Sequence, residues 1–216
     1  MPYDSRSPIA EQVHRSIRTS LHHLRPFEET GDDDSSVYID TLVLHSPLPT
    51  IDQTLEAWST AETYVPHRIR NLGISNCTLS ELETLCLSPQ VKVKPAVVQN
   101  RFYQNTRYDV PLRAFSRDHA IIYQSFWTLT ANPGLLASSG PVGMLAQQAK
   151  ISPQAALYGL VLGLGNTTVL NGTNNESHMA ADLTALQIMQ MFVSEQPDAW
   201  KQLLDRFKMI IGEPVL

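Results

Sequence analysis

Tyr38-Ile39-Asp40-Thr41-Leu42-Val43-Leu44-His45-Ser46-Pro47 is an apolar run closed by one histidine and a turn. Ile39 to His45 carries Ile, Thr, Val and Leu at the density of a buried strand. Pro47 and Pro49 lack amide donors and cannot continue a sheet, so the strand stops at His45. A histidine delivered to the C-terminal end of a buried parallel strand stands where α/β barrels place their chemistry; the opposite end of such strands serves stability.

The same unit recurs on either side. Upstream, residues 1–7 are polar and read as loose, and Pro8 opens a helix in which Ile9, Val13, Ile17, Leu21 and Leu24 recur at helical spacing. Pro26 ends it, and the acidic stretch 28–36 reads as a solvated loop. Downstream, Thr50 or Asp52 caps a helix whose Leu55, Trp58, Ala61 and Val65 face inward, and Pro66 stops it. Ile69–Ser75 is the next strand, followed by the Thr78-x-x-Glu81 order of a capping box. Pro95–Gln99, Ala120–Ser125 and Thr167–Leu170 are further strands. Helices are expected over Pro111–Asp118, Val142–Lys150, Pro153–Leu164 with Ser152 as its cap, a segment ending near Val193, and Pro197–Ile211.

Strands alternating with helices imply right-handed crossovers and a parallel sheet. The strand ends present His45, then Ser75-Asn76, then Gln99, then Ser125, then Gly172-Thr173. Small polar residues at corresponding places in successive units point to a shared ligand site on one face.

Composition narrows the function classes. The 216 residues fit one domain spanning the chain, 1–216, although a full barrel takes about 250. Sixteen Lys and Arg against 21 Asp and Glu give a net charge of −5, with no basic cluster to follow a phosphate backbone, so nucleic acid is not an expected partner. No run approaches the roughly 18 apolar residues of a membrane helix, and the first residues have neither the basic nor the apolar region of a signal peptide. No membrane partner and a cytoplasmic location are expected. Cys77 and Cys86 have no zinc-site spacing and read as two reduced thiols, with no metal centre.

In order and spacing, Tyr38-Ile39-Asp40 through Leu44-His45-Ser46-Pro47, then Leu72-Gly73-Ile74-Ser75-Asn76, Val98-Gln99, Tyr123-Gln124-Ser125 and Leu170-Asn171-Gly172-Thr173 resemble the aldo-keto reductase family. The resemblance covers nearly the whole chain from Pro8. It implies an α/β fold, an incomplete TIM-type (β/α) barrel with about five parallel strands, and NADP(H) or NAD(H)-dependent reduction of a small aldehyde or ketone. By the same resemblance His45 orients and polarises the carbonyl; Ser75, Asn76 and Gln99 hold the nicotinamide carboxamide; and Ser125 meets the pyrophosphate. Gly172, Thr173, His178 and Asp182 fall on the adenosine-phosphate and adenine positions.

The departures carry their own expectations. Gln124 stands where the family stacks an aromatic ring, which leaves Tyr123, Phe126 or Trp127 for stacking. Gly172 and His178 replace a lysine and an arginine common at the 2′-phosphate, so no strong NADP preference is expected. The resemblance further implies that the first three strand-helix units, with the family's Asp, Tyr and Lys catalytic residues, are absent. Reduction then requires that part to be supplied. The alternative is a truncated non-redox relative, a binding protein or a His45-assisted isomerase or cyclase. Too few strands to close a barrel also leave open strand edges, through which a second copy of the chain is expected to associate.

Overall fold

The computed structural model describes residues 4–25 and 37–215. The acidic loop expected at 28–36 lies outside the described residues, as do residues 1–3. Five strands, β1 Ile39–Leu44, β2 Ile69–Ser75, β3 Val97–Arg101, β4 Ile122–Phe126 and β5 Thr167–Val169, form one parallel sheet in chain order. The eight helices described are α1 Ile9–His23, α2 Ile51–Glu62, α3 Leu79–Leu87, α4 Val110–Asp118, α5 Pro141–Ala149, α6 Pro153–Leu162, α7 Glu176–Glu195 and α8 Pro197–Ile211. The sheet is not closed: among the described residues β1 pairs only with β2, and β5 only with β4. This is the parallel sheet that the alternating pattern implies, open as in the incomplete α/β barrel that the family resemblance implies.

The chain folds as two compact units, residues 1–99 and residues 100–216. In the first, Thr50 and Thr78 each cap a helix through a full capping box, with Gln53 and Glu81 as the reciprocal partners. Helix α2 buries Thr54, Ala57, Trp58 and Ala61. Leu55 is only half-buried and Val65 lies beyond the helix, contrary to the spacing argument, because the helix ends at Glu62 and its inward stripe is shifted. Wholly buried Trp58 donates its indole N–H to Val93 O at 2.9 Å, while Glu62 Oε1 accepts the amides of Lys92 and Val93 at 2.7 and 2.8 Å. These bonds fix the loop that leads into β3. Asp4 to Ser7 are not loose: Gln12 Nε2 donates to Asp4 O and Ser7 O at 2.8 Å, and its Oε1 accepts from Asp4 N at 2.9 Å. Leu24, expected on the inward face of α1, is the exposed residue that ends it. Burial pushes the Cys86 thiol up to about 11 against a small opposing pull from Lys94, so this cysteine is held as the unreactive thiol.

The second unit is built on a buried polar network. Arg107, Tyr108 and Asp109 all take left-handed backbone angles, φ 52°, 52° and 51°, a costly run for residues with a Cβ. What holds it is the Asp109 carboxylate, whose Oδ2 accepts from Asn100 Nδ2 and from the Tyr123 hydroxyl, each at 3.0 Å. Arg113, 1% exposed, donates through Nε to Tyr108 O at 2.9 Å and through Nη1 to Glu213 Oε2 at 2.6 Å. Arg117 Nη1 meets the other Glu213 oxygen at 3.1 Å. The segment after α8 is thereby pinned to α4. Nearby, α8 lays Trp200 against Gly163, where an added Cβ would come within 2.5 Å of the indole. Ser152 caps α6 as its spacing before Pro153 indicates, accepting from Ala155 N at 3.1 Å.

Two outcomes follow from this network. Glu213→Ala removes the carboxylate that pairs with Arg113, which is fully buried, and with Arg117, and is expected to cost about 3–5 kcal/mol in chemical denaturation; a loss below about 1 kcal/mol would show that the pair is not holding the segment. Burial raises the Asp109 carboxyl above its ordinary value, opposed by hydrogen bonds from Asn100, Tyr123 and Thr106 and by the charge of Arg113. The folded chain therefore binds this proton more tightly than the unfolded one. Stability is lost as pH rises from the unfolded carboxyl value, about 3.9, through the raised folded value. Asp109→Asn should accordingly gain on the wild type in denaturation midpoint as pH rises across that window, and a constant difference would contradict it.

Candidate active site

In the first unit the ends of β1, β2 and β3 are tied together by side chains. Register places Ser75 beside Gln99, and the Ser75 hydroxyl donates to Gln99 O at 2.7 Å while Asn76 N donates to the same carbonyl at 3.0 Å. Asn76 takes a left-handed conformation, φ 53°, which an asparagine tolerates better than most residues. From there its Nδ2 reaches His45 O at 2.8 Å and Ser75 Oγ at 3.1 Å. Both amide hydrogens are committed, and the Oδ1 remains as an acceptor on an exposed side chain. His45, Ser75, Asn76 and Gln99 are thus brought to neighbouring strand positions. Gln99 is nonetheless the middle residue of β3, which begins at Val97 and runs on to Arg101, because Pro95 and Ala96 precede the ladder.

His45 is exposed just past β1 and lines a cavity of about 550 Å³ between α1 and β1. The strand-end argument alone would put His45 and Gln99 in one cavity with Asn76 beside them. The cavity at His45 is lined instead by α1, by β1 and the turn after it, and by Ala57 of α2; neither Asn76 nor Gln99 borders it. Ile9, Val13 and Ile17 are wall residues that the sequence presented only as part of a helical stripe. Tyr38 stands at the other end of β1 with the Arg70 guanidinium 3.8 Å over its ring, away from His45.

In the second unit, Ser125 is wholly buried and its hydroxyl pairs with the Thr128 hydroxyl. The Ser125 hydroxyl, which the resemblance assigns to the pyrophosphate, is turned to Thr128 inside the unit. Of the three aromatic candidates for stacking, Tyr123 is excluded, since it is buried with its hydroxyl on Asp109. Trp127 is exposed, left-handed at φ 56°, and lies 4.5 Å beneath the Arg101 guanidinium, with Phe126 set edge-on beside it.

The loop after β5 is internally braced. Asn171 donates to the Asp182 carboxylate and accepts from Thr173 N at 3.0 Å, and Thr173 Oγ1 accepts from Asn175 N at 3.2 Å. Asn175 caps α7 by accepting from His178 N at 3.2 Å. Asp182 and Thr173 also line an apolar cavity of about 460 Å³ with Tyr158, whose hydroxyl burial and then the Asp182 charge push upward in pKa. The sequence argument missed Asn175; the signal was an asparagine directly before a helical run, a standard capping position. Gly172 is exposed, and a Cβ built on it meets nothing within 4 Å. Among the described residues no group of three or more His, Cys, Asp or Glu side chains is placed to hold a metal ion, and no helix is long and apolar enough to cross a membrane.

No family model and no curated protein matches the chain. Solved structures do. An aldo/keto reductase from Brucella melitensis superposes with a TM-score of 0.65 at 20% identity, over 82% of this chain and 62% of that one. A thermostable aldo-keto reductase in complex with the inhibitor epalrestat gives 0.65 at 18%, over 86% and 66%. Aldose reductase from Giardia lamblia gives 0.63 at 14%, over 96% and 70%. The chain spans just under two thirds of the first two proteins. At these identities the likeness speaks for architecture, and it agrees with the strand order and the open sheet: the chain carries the aldo-keto reductase fold, as a five-stranded portion of it.

Proposed function

We propose that the chain contributes the carbonyl-orienting and cofactor-holding part of an NAD(P)H-dependent aldehyde or ketone reductase. The observation that carries this is the Asn76 bridge. It locks the ends of β1 and β2 so that His45, Asn76 and the residue paired with Ser75, Gln99, occupy successive strands. A nicotinamide carboxamide needs an acceptor for its NH2 and a donor for its carbonyl; Asn76 Oδ1 supplies the first and the Gln99 amide is of the type to supply the second. When bound, the nicotinamide would supply the hydride. His45 donates a hydrogen bond to the carbonyl oxygen from whichever ring nitrogen carries the proton, which draws electron density from the carbon. The proton donor comes from outside the described residues, and a placed general acid typically contributes about 10²–10⁴ in rate.

In the second unit, Thr173 and the capped start of α7 at Asn175 to His178 are assigned to the adenosine phosphate, with Asp182 toward the adenine. The Thr173, Asn175 and His178 amides bond within the loop, so what favours an anion there is the dipole of α7. Gly172 and His178 offer no fixed cation, so NADPH and NADH should bind with similar, modest affinity. The comparisons lend the non-redox alternative no support.

Self-association is supported by the edge of β5, which is unpaired among the described residues, and by α7, where Met179, Leu183, Leu186 and Val193 are exposed at spacings of four, three and seven residues. Leaving such a stripe in water costs roughly 25 cal/mol per Å² of apolar surface, which association would recover.

Two measurements test these assignments. Titration with NADPH and NADH, followed by nicotinamide fluorescence, should show little discrimination in the wild type and a gain for NADPH of about tenfold or more in Gly172→Lys, the equivalent of a charge-assisted contact of about 1.5–3 kcal/mol. Submicromolar wild-type binding with strong preference for NADPH would overturn the assignment of the phosphate site. Sedimentation at micromolar concentration should show association that Leu183→Glu weakens; a monomer in both would remove the association.

A further inference from the structure

We infer that the cavity between the Gln104–Asp109 turn, the start of α4 and the end of α8 binds an organic carboxylate, its anionic end on Arg107 and Tyr108 and its apolar body toward Ile210. The residues that line it all belong to the second unit, and the inference does not depend on the reductase reading. Its volume, about 750 Å³, falls within the roughly 300–1,000 Å³ of small-molecule sites, which combine apolar walls with a few placed polar groups. Both parts are present. Val110, Pro111, Pro133, Leu135, Ile210 and Ile211 supply apolar walls, while Gln104, Arg107 and Tyr108 supply donors from one short segment. Asn132 also borders the cavity, but its Nδ2 is committed to Phe102 O and Thr128 O.

The left-handed run from Arg107 gathers those donors. In an extended strand adjacent side chains face opposite sides, whereas at φ 52° each Arg107 and Tyr108 border the same cavity. Backbone strain of this kind clusters at ligand clamps and active sites. Asp109, third in the run, does not join them, because its Oδ2 is held by Asn100 and Tyr123. Tyr108 is 8% exposed and its ring packs 5.1 Å from that of Phe102. Its hydrogen bonds among the described residues run through the backbone, N–H to Tyr103 O and O from Arg113 Nε, which leaves the hydroxyl for a ligand. Burial raises that hydroxyl above its ordinary value and so keeps the proton on it as a donor. A carboxylate suits the pair: its two oxygens fit the planar guanidinium fork and keep lone pairs for the hydroxyl. Helix ends set the direction. Val110 and Pro111 open α4 and bring its positive end to the cavity, whereas Ile210 to Gly212 close α8, where carbonyls carry partial negative charge. The anion therefore sits at the Arg107 end and the apolar body at the α8 end. The Glu213 carboxylate, next to Gly212, is balanced by Arg113 and Arg117.

The probes are nonanoate and, as its uncharged counterpart of equal chain length, 1-nonanol, titrated at pH 7.5 by calorimetry with the tyrosine ring signals followed by NMR. Nonanoate should bind and shift Tyr108, and nonanol should bind at least tenfold more weakly. Arg107→Gln should weaken nonanoate about tenfold or more and leave nonanol unchanged, as expected for a lost charge-assisted contact. Tyr108→Phe, which keeps the ring and the backbone bonds, should weaken nonanoate several-fold. Gly134→Trp sets a large ring at a lining position where a Cβ meets nothing within 4 Å, and should abolish binding of both probes. Arg107 and Gly134 are exposed, so these two variants should melt with the wild type and the test stands even if Tyr108→Phe is destabilised. Equal binding of nonanol, indifference of nonanoate to Arg107→Gln, or binding that survives Gly134→Trp would each overturn the inference. Nonanoate binding with no shift at Tyr108 would place the carboxylate elsewhere and overturn it as well.

Discussion

The first unit depends on one side chain bonded to two strand ends. A parallel ladder fixes the spacing of β1 and β2 but leaves their last carbonyls without ladder partners. Asn76 meets that need by leaving the strand in a left-handed turn and donating to His45 O and Ser75 Oγ. An alanine there would face a larger backbone cost without the amide, and a glycine would relieve the cost but lose both bonds. The backbone that carries the histidine is therefore positioned by the residue after the next strand, and the contact spans 31 residues of sequence.

The second unit answers a different problem. Three successive left-handed residues are tolerated because their carbonyl and carboxylate groups are spoken for by buried partners, Arg113, Asn100 and Tyr123. A buried ion pair is weak evidence of stability in its own right. Here the pair between Arg113 and Glu213 has a geometric role, since it joins residues 100 positions apart and keeps the segment after α8 in place.

The alternation of strands and helices was legible because each element is announced locally. Thr50, Thr78 and Ser152 stand at their caps, Pro153 stands in first position, and the β2 bounds coincide with its apolar run. The long-range commitments were not legible. Nothing in the spacing of Ser125 reveals that Thr128 takes its hydroxyl, and nothing around Tyr123 announces Asp109, because those partners are chosen by tertiary packing. Placement of His45 at a strand end was readable from Pro47 and Pro49. The wall it faces was not, since the side on which a helix returns to a strand edge depends on connections that periodicity does not encode.

Gly163 has a consequence of another kind. Trp200 occupies the space where any other residue would carry its first side-chain carbon, at 2.5 Å from the nearest indole atom. Backbone angles there are ordinary, with φ −64° and ψ −14°, so conformation does not demand glycine. The demand comes from a neighbour's ring, and it restricts position 163 to a single residue for as long as position 200 remains a tryptophan. The two sites can change only together or in a fixed order, the smaller ring first, which makes the seating of the last helix a property of a residue pair and not of either residue.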